Sequence, residues 1–235
     1  MHLSLALAAP IDPSNREIQS VPEAGGELQT DIDLEKRANS QSNPTDAYFD
    51  VSGWPDIAEE DCKMMLCDFN GERVWQRALT STEPNQHYTD SGASLAPFRA
   101  DQVGDAHRHT KQIDSTTTSP EEFPWRSMHW TGTRTGHLMP ATTRQQSSQG
   151  SGIRTGFNRA QVNLGDWFKI IFQNYDSSKP YCPALHKDPP DTSICGKKQT
   201  TLFNHNVNPD DYTYVKQPQP GPGNYIFFGH PGSSS

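Results

Sequence analysis

The sequence predicts a small, loop-rich α+β domain built around a central antiparallel sheet and stapled by disulfides. Three observations carry that expectation. Only 32% of the 235 residues are hydrophobic, and 17 glycines and 19 prolines punctuate the chain, which favours many turns over a helical bundle. The run Trp167–Gln173 is nearly all apolar and has the length of a buried strand. Four cysteines, Cys62, Cys67, Cys182 and Cys195, make an even set of the kind that cross-links small secreted domains.

In chain order, residues 47–51 have the composition of a short strand. Asp56-Ile57-Ala58-Glu59 has capping-box spacing and opens a helix that runs to about Cys67. Residues 72–79 suit a second helix or a strand. Residues 80–118 are polar, rich in serine and threonine, and expected to be mostly loop. Ser119-Pro120-Glu121-Glu122 is a second helix-start signal, with Ser as cap and Pro in first position, and Pro124 limits its extension. Residues 136–139 suit a strand, 147–156 a loop, and 157–160 a helical turn. Trp167–Gln173 is expected at the centre of the sheet. Residues 212–215 and 225–228 are further strands, and the Pro/Gly-rich 217–223 is a turn. There is no internal repeat.

The N-terminus, Met1 to Pro10, has the apolar core and small-residue end of a signal peptide, short and without a basic start. Residues 11–37 are acidic and polar and close on Glu35-Lys36-Arg37, which reads as a propeptide cut after the dibasic pair. Residues 38–235 are then the single mature domain. A secreted, extracellular chain would form two disulfides. Three pairings are open; Cys62–Cys67 with Cys182–Cys195 needs the least chain closure and is preferred. A zinc site is the rival, but neither pair has CxxC spacing. No apolar run approaches the ~20 residues that span a bilayer, so no membrane partner is expected, and the chain is expected to be a monomer.

The formal net charge is −8, unlike a bulk DNA binder. The charge is segregated, however. Residues 1–37 hold seven acids against three bases, whereas no Asp or Glu occurs between Phe123 and Gly165. That acid-free stretch contains Arg126, Arg134, Arg144, Arg154 and Arg159, a candidate phosphate-contacting surface because the guanidinium fork matches phosphate oxygens. A solvated face is the plainer reading of the same charges.

The same segment carries the candidate chemistry. Phosphodiester hydrolysis needs a base to activate water and positive charge at the pentavalent phosphate. Glu121, Glu122, His137 and the amide-rich run 144–150 supply residue types that fit. Individually each has a structural explanation: helix-start acids, a structural histidine, a polar loop.

Residues 119–173 resemble the core of the NucA/NucB deoxyribonucleases. The family pattern is roughly Asp-Glu-aromatic-Pro-aromatic-Ala-Ser, a glycine-rich loop, Val-Pro-Ala and Asn-Ser-x-Gln-Gly. The chain has Glu121-Glu122-Phe123-Pro124-Trp125-Arg126-Ser127, then Thr131-Gly132-Thr133, Met139-Pro140-Ala141, and Gln146-Ser147-Ser148-Gln149-Gly150; Gly165-Asp166-Trp167-Phe168 follows. A second resemblance overlaps it: Gly136-His137-Leu138-Met139-Pro140-Ala141 is similar to the Asp-Arg-Gly-His-Leu-x-Pro-Ala motif of the DNA/RNA non-specific endonucleases. The departures are Glu121 for the family Asp, Gln146 for the metal-binding Asn, Thr131-Gly132-Thr133 for an acid-bearing glycine loop, and Arg134-Thr135 for Asp-Arg.

The resemblance implies a ββα-metal-type nuclease core and a secreted endonuclease cutting DNA, and also RNA in some relatives, with little sequence specificity. It implies His137 as general base, Glu121 and Gln146 on Mg²⁺ or Mn²⁺, and Glu122 in support, with arginines on phosphates. Two other functions compete: a non-catalytic secreted interaction protein on a degenerate nuclease fold, and a metal-independent ribonuclease. The nuclease reading expects Glu121, His137 and Gln146 to meet in one cleft beside the sheet.

Overall fold

In the computed structural model, residues 39–99, 110–130, 136–196, 199–218 and 225–229 are described. The expected leader and propeptide, the loop at Thr131-Gly132-Thr133, and Arg134 lie outside the described residues. Residues 38–235 form one unit. It is a mixed α/β assembly with two disulfides.

The first sheet has the order β1 (Thr45–Asp50), β5 (Trp167–Gln173), β2 (Val74–Gln76). Trp167–Gln173 is therefore the middle strand, as its apolar run predicts. One side of it, Phe168, Ile170 and Phe172, is buried, and Trp167, Lys169 and Ile171 on the other are half-covered. The expectation of an antiparallel central sheet is corrected here. β1 runs parallel to β5 and only β2 is antiparallel. A parallel pair needs a long crossover, and the entire chain between β1 and β5 serves as one. The second sheet, β3 (Ser119–Phe123), β4 (His137–Ala141), β8 (Tyr214–Pro218) and β9 (Tyr225–Gly229), is antiparallel throughout. A hairpin, β6 (Thr200–Leu202) and β7 (His205–Val207), stands apart.

Two local expectations are overturned. Ser119-Pro120-Glu121-Glu122 is strand, not a helix start, because it pairs residue for residue with β4, Glu121 opposite Met139 and Glu122 opposite Leu138. Pro140 is tolerated in β4 because β8 pairs only with His137 and Leu138. Residues 147–156 are not loop but the middle of α3 (Thr143–Ala160), which lies on β1. The helix starts at Thr142, whose side chain accepts from the Gln145 N–H. Its glycines serve packing rather than turning. A Cβ on Gly156 would stand 2.4 Å from the Phe49 ring, and one on Gly152 2.9 Å from Trp54 Nε1. Residues 80–118 also hold a helix, α2 (Glu83–Asp90), and within residues 72–79 only Val74–Gln76 is strand.

The helix α1 (Pro55–Lys63) continues into a wider π turn, Met64–Asp68. Its expected capping box does not form. Gln145 Oε1 instead accepts from the Asp56 and Ile57 N–H groups. Glu59 turns to α4 (Tyr181–Leu185), accepting from the Tyr181 and Cys182 N–H groups. The preferred disulfide pairing is likewise corrected: the bonds are Cys62–Cys182 and Cys67–Cys195. Cys62 and Cys67 lie on one continuous helical run, whose rise of ~1.5 Å per residue keeps their Cα atoms too far apart to bridge. Both instead meet the α4 region, and each bond closes a long loop.

Aromatic rings fill the space between the first sheet, α1 and α3: Phe49 packs edge-on to Trp125, Phe157 and Phe172. A smaller core of Ala93, Phe98, Leu138, Tyr214 and Phe227 lies behind the second sheet. No helix among the described residues is long and apolar enough to cross a membrane.

Candidate functional site

The pair β3–β4 is followed directly by α3, and this order builds the site. Side chains alternate along a strand, so Glu121 and Glu122 leave β3 on opposite faces. Glu121 meets α3. Gln146 Nε2 donates to its Oε2 at 2.7 Å, and Gln149 Nε2 donates to its Oε1. Gln146 and Gln149 also bond each other at 3.0 Å. Three residues apart, they share one face of the helix. Glu122 accepts from the Ser91 hydroxyl.

Both residues are recessed, Glu121 1% and Glu122 7% exposed, and both line a cleft of about 460 Å³. Its walls bring in Arg77 from the end of β2, Arg126 from the loop after β3, and Arg154 from α3, with Tyr88 from α2 at the rim. Arg77 is anchored: it donates to the Val162 carbonyl and lies 4.7 Å over the Phe157 ring. Arg126 is exposed and stands 5.4 Å over the Tyr88 ring.

Burial sets the electrostatics. It pushes Glu122 up to about 7, against the opposing pull of the Ser91 hydrogen bond and the Arg126 charge. It raises Glu121 well above the usual carboxylate range, against the hydrogen bonds from Gln149 and Gln146 and aided by the charge of Glu122. Behind Glu121 lie two further acids of α1. Asp61 accepts from Trp125 Nε1 at 2.8 Å; burial and the nearby Glu121 hold its pKa well up. Glu60 is raised by burial, Glu121 and Asp61. A deficit of positive charge therefore surrounds Glu121.

Comparison with family models, with curated proteins and with solved structures returns no match. The resemblances noted in the sequence thus rest on the motif residues themselves.

Of the residues singled out from sequence, Glu121, Glu122, Gln146, Arg126 and Arg154 line the cleft. His137 does not. It stands opposite Phe123 on β4, edge-on to Phe69 at 6.1 Å, against the aromatic core. The expected meeting of Glu121, His137 and Gln146 is therefore met by only two of the three. Arg144 and Arg159 are exposed on α3 away from the cleft lining. Arg77, Tyr88, Gln149 and Asp61 join the site without having been assigned to it. Gln149 carried a signal, its i+3 spacing from Gln146; the other three come from segments far away in sequence.

Among the described residues, no group of three His, Cys, Asp or Glu side chains is gathered to hold a metal. The Glu121 neighbourhood offers a sparser donor set of carboxylate and amide oxygens. Gln146 Oε1 is buried and meets no hydrogen-bond donor among the described residues, and the same holds for Asp61 Oδ1 and Glu60 Oε2. Buried oxygens without a hydrogen-bond donor beside a carboxyl are ligands of the hard kind that a divalent cation takes.

Proposed function

We propose that the chain is a secreted, metal-dependent endonuclease that hydrolyses the phosphodiester bonds of DNA with little sequence specificity. The observation that carries this reading is the recessed pair Glu121 and Glu122 in a cleft walled by three arginines. The strand–strand–helix order β3–β4–α3, with an acid on the first strand facing an amide on the helix, supports a ββα-metal-type core. The two disulfides are compatible with an extracellular protein.

Glu122 is the general base in this reading. A carboxyl held at about 7 is divided between its two forms near neutral pH, the condition under which it both takes and returns protons efficiently. It takes a proton from the attacking water as the water oxygen bonds phosphorus, and the ester oxygen departs on the opposite side, taking a proton from solvent. Arg126 and Arg154 hold non-bridging or neighbouring phosphate oxygens, and charge growing on the phosphorane strengthens those bonds. Glu121 and Gln146 would hold Mg²⁺ or Mn²⁺, which supplies Lewis-acid charge to the phosphate. The high pKa of Glu121 makes that binding proton-linked, weaker as pH falls.

Digestion of both single-stranded and plasmid DNA tests the reading. Cutting is expected to stop in EDTA and return with Mg²⁺ or Mn²⁺. Glu121→Gln and Glu122→Gln each lower turnover by roughly 10²–10⁴-fold in a folded chain, while His137→Ala spares turnover of the folded fraction. Cutting that persists in EDTA would instead favour metal-independent chemistry, and no cutting with any metal a non-catalytic protein.

A further inference from the structure

We infer that the cleft takes single-stranded DNA, with one base stacked on the Tyr88 ring beside Arg126. The inference rests on the nuclease reading and narrows its substrate. Tyr88 is a large aromatic side chain, 36% exposed, at the rim of the same cleft that Glu121 and Glu122 line. Its ring is already paired with a guanidinium, Arg126, at 5.4 Å. Arginine and an aromatic face together form the stacking surface that binds unpaired bases without regard to sequence.

The platform is fixed in place. His87, the residue before Tyr88, is buried, stacks on Trp130 at a ring separation of 4.2 Å, and its Nδ1 lies 3.1 Å from the Arg126 carbonyl oxygen. One contact set therefore ties the helix bearing Tyr88 to the loop bearing Arg126. Arg126 and Glu122 also line the same cleft. A base on Tyr88 brings its phosphate to Arg126, which lines the same cleft as the two glutamates.

A duplex satisfies this geometry poorly. Its bases are stacked on one another and leave no face for Tyr88. Its stiff backbone must also deliver a phosphate to recessed glutamates lining a cleft of about 460 Å³. A single strand bends into the cleft and offers a free base face at little cost.

The probe is an octanucleotide with a central 2-aminopurine, single-stranded or annealed to its complement. It is titrated in Mg²⁺ with the full chain carrying Glu122→Gln, so that binding is read without cutting. The single strand should bind more tightly, with quenched fluorescence. Adding Tyr88→Ser or Tyr88→Leu should weaken it by roughly 5- to 150-fold and abolish the quench, while Tyr88→Phe stays close to the parent. Unchanged melting temperatures show that the variants fold, and Tyr88→Leu preserves apolar contact while removing the ring. Equal binding of duplex and single strand, or no effect of removing the ring, overturns the platform. Plasmid cutting by the wild-type chain would in that event leave the nuclease reading intact, whereas absence of both oligonucleotide binding and cutting would remove both.

Discussion

Replacing Glu122 with glutamine should change how stability depends on pH. Burial raises the Glu122 pKa in the folded chain from 4.5 to about 7, while the unfolded chain keeps the ordinary value. An acid raised in this way favours folding below the unfolded value, where both states are protonated, and loses that advantage as pH climbs through the folded value. The loss grows from about pH 4.5 and levels off above about pH 7. At 1.36 kcal/mol per pKa unit it amounts to roughly 3 kcal/mol, or about 6–12 °C in Tm for a domain near 200 residues. Glutamine retains an oxygen for the Ser91 hydroxyl and carries no charge to bury. Glu59, Glu60, Asp61 and Glu121 are raised too, so both chains lose stability with rising pH, and the difference between them isolates Glu122 and its influence on Glu121. Thermal unfolding by circular dichroism in EDTA, from pH 4 to 8.5, should show the Glu122→Gln chain pulling ahead of wild type across the window and holding a constant lead above it. Two parallel curves would refute the assignment of a buried, charge-penalised carboxyl at this position.

Two of the three glycines of α3 should respond with opposite signs: Gly156→Ala costs about 1–3 kcal/mol because its Cβ meets the Phe49 ring, whereas Gly150→Ala, facing open space, gains up to ~1 kcal/mol of helix propensity. Urea unfolding measures both, and a stabilising Gly156→Ala would contradict the close approach of helix and strand. Removing the Cys62–Cys182 bond by paired alanine substitution should cost about 2–5 kcal/mol, since it closes a loop with a sequence separation of 120; peptide mapping of the non-reduced chain should recover 62 with 182 and 67 with 195, and a 62–67 peptide would overturn the connectivity.

The sequence by itself determined what depends on neighbours along the chain. The apolar run of Trp167–Gln173 cannot be satisfied at a surface, so a buried strand followed from composition. A strand near 136–139 and the pairing of the acid at 121 with amides some twenty-five residues on were legible in motif order. The helix at 143–160 was signalled by Thr142 and Gln145, which have capping-box spacing, but the glycines behind them read as loop. Only the packed structure reveals that they let α3 approach β1.

The tertiary structure alone decided everything that turns on distant residues meeting. Ser119–Phe123 starts like a helix, yet pairing with β4 outweighs local preference. The cysteines pair across more than a hundred residues because α1 presents both toward the α4 region. His137 fits a nuclease motif, but the register of β4 sets it opposite Phe123, against Phe69 and the core. Arg77 and Tyr88 come to the cleft, and Asp61 to the buried side of Glu121, from three separate segments with no local mark of their role. The raised pKa values of Glu121 and Glu122 follow from burial, aided at Glu121 by the charge of Glu122, and burial is a property of the assembled cleft rather than of any stretch of chain.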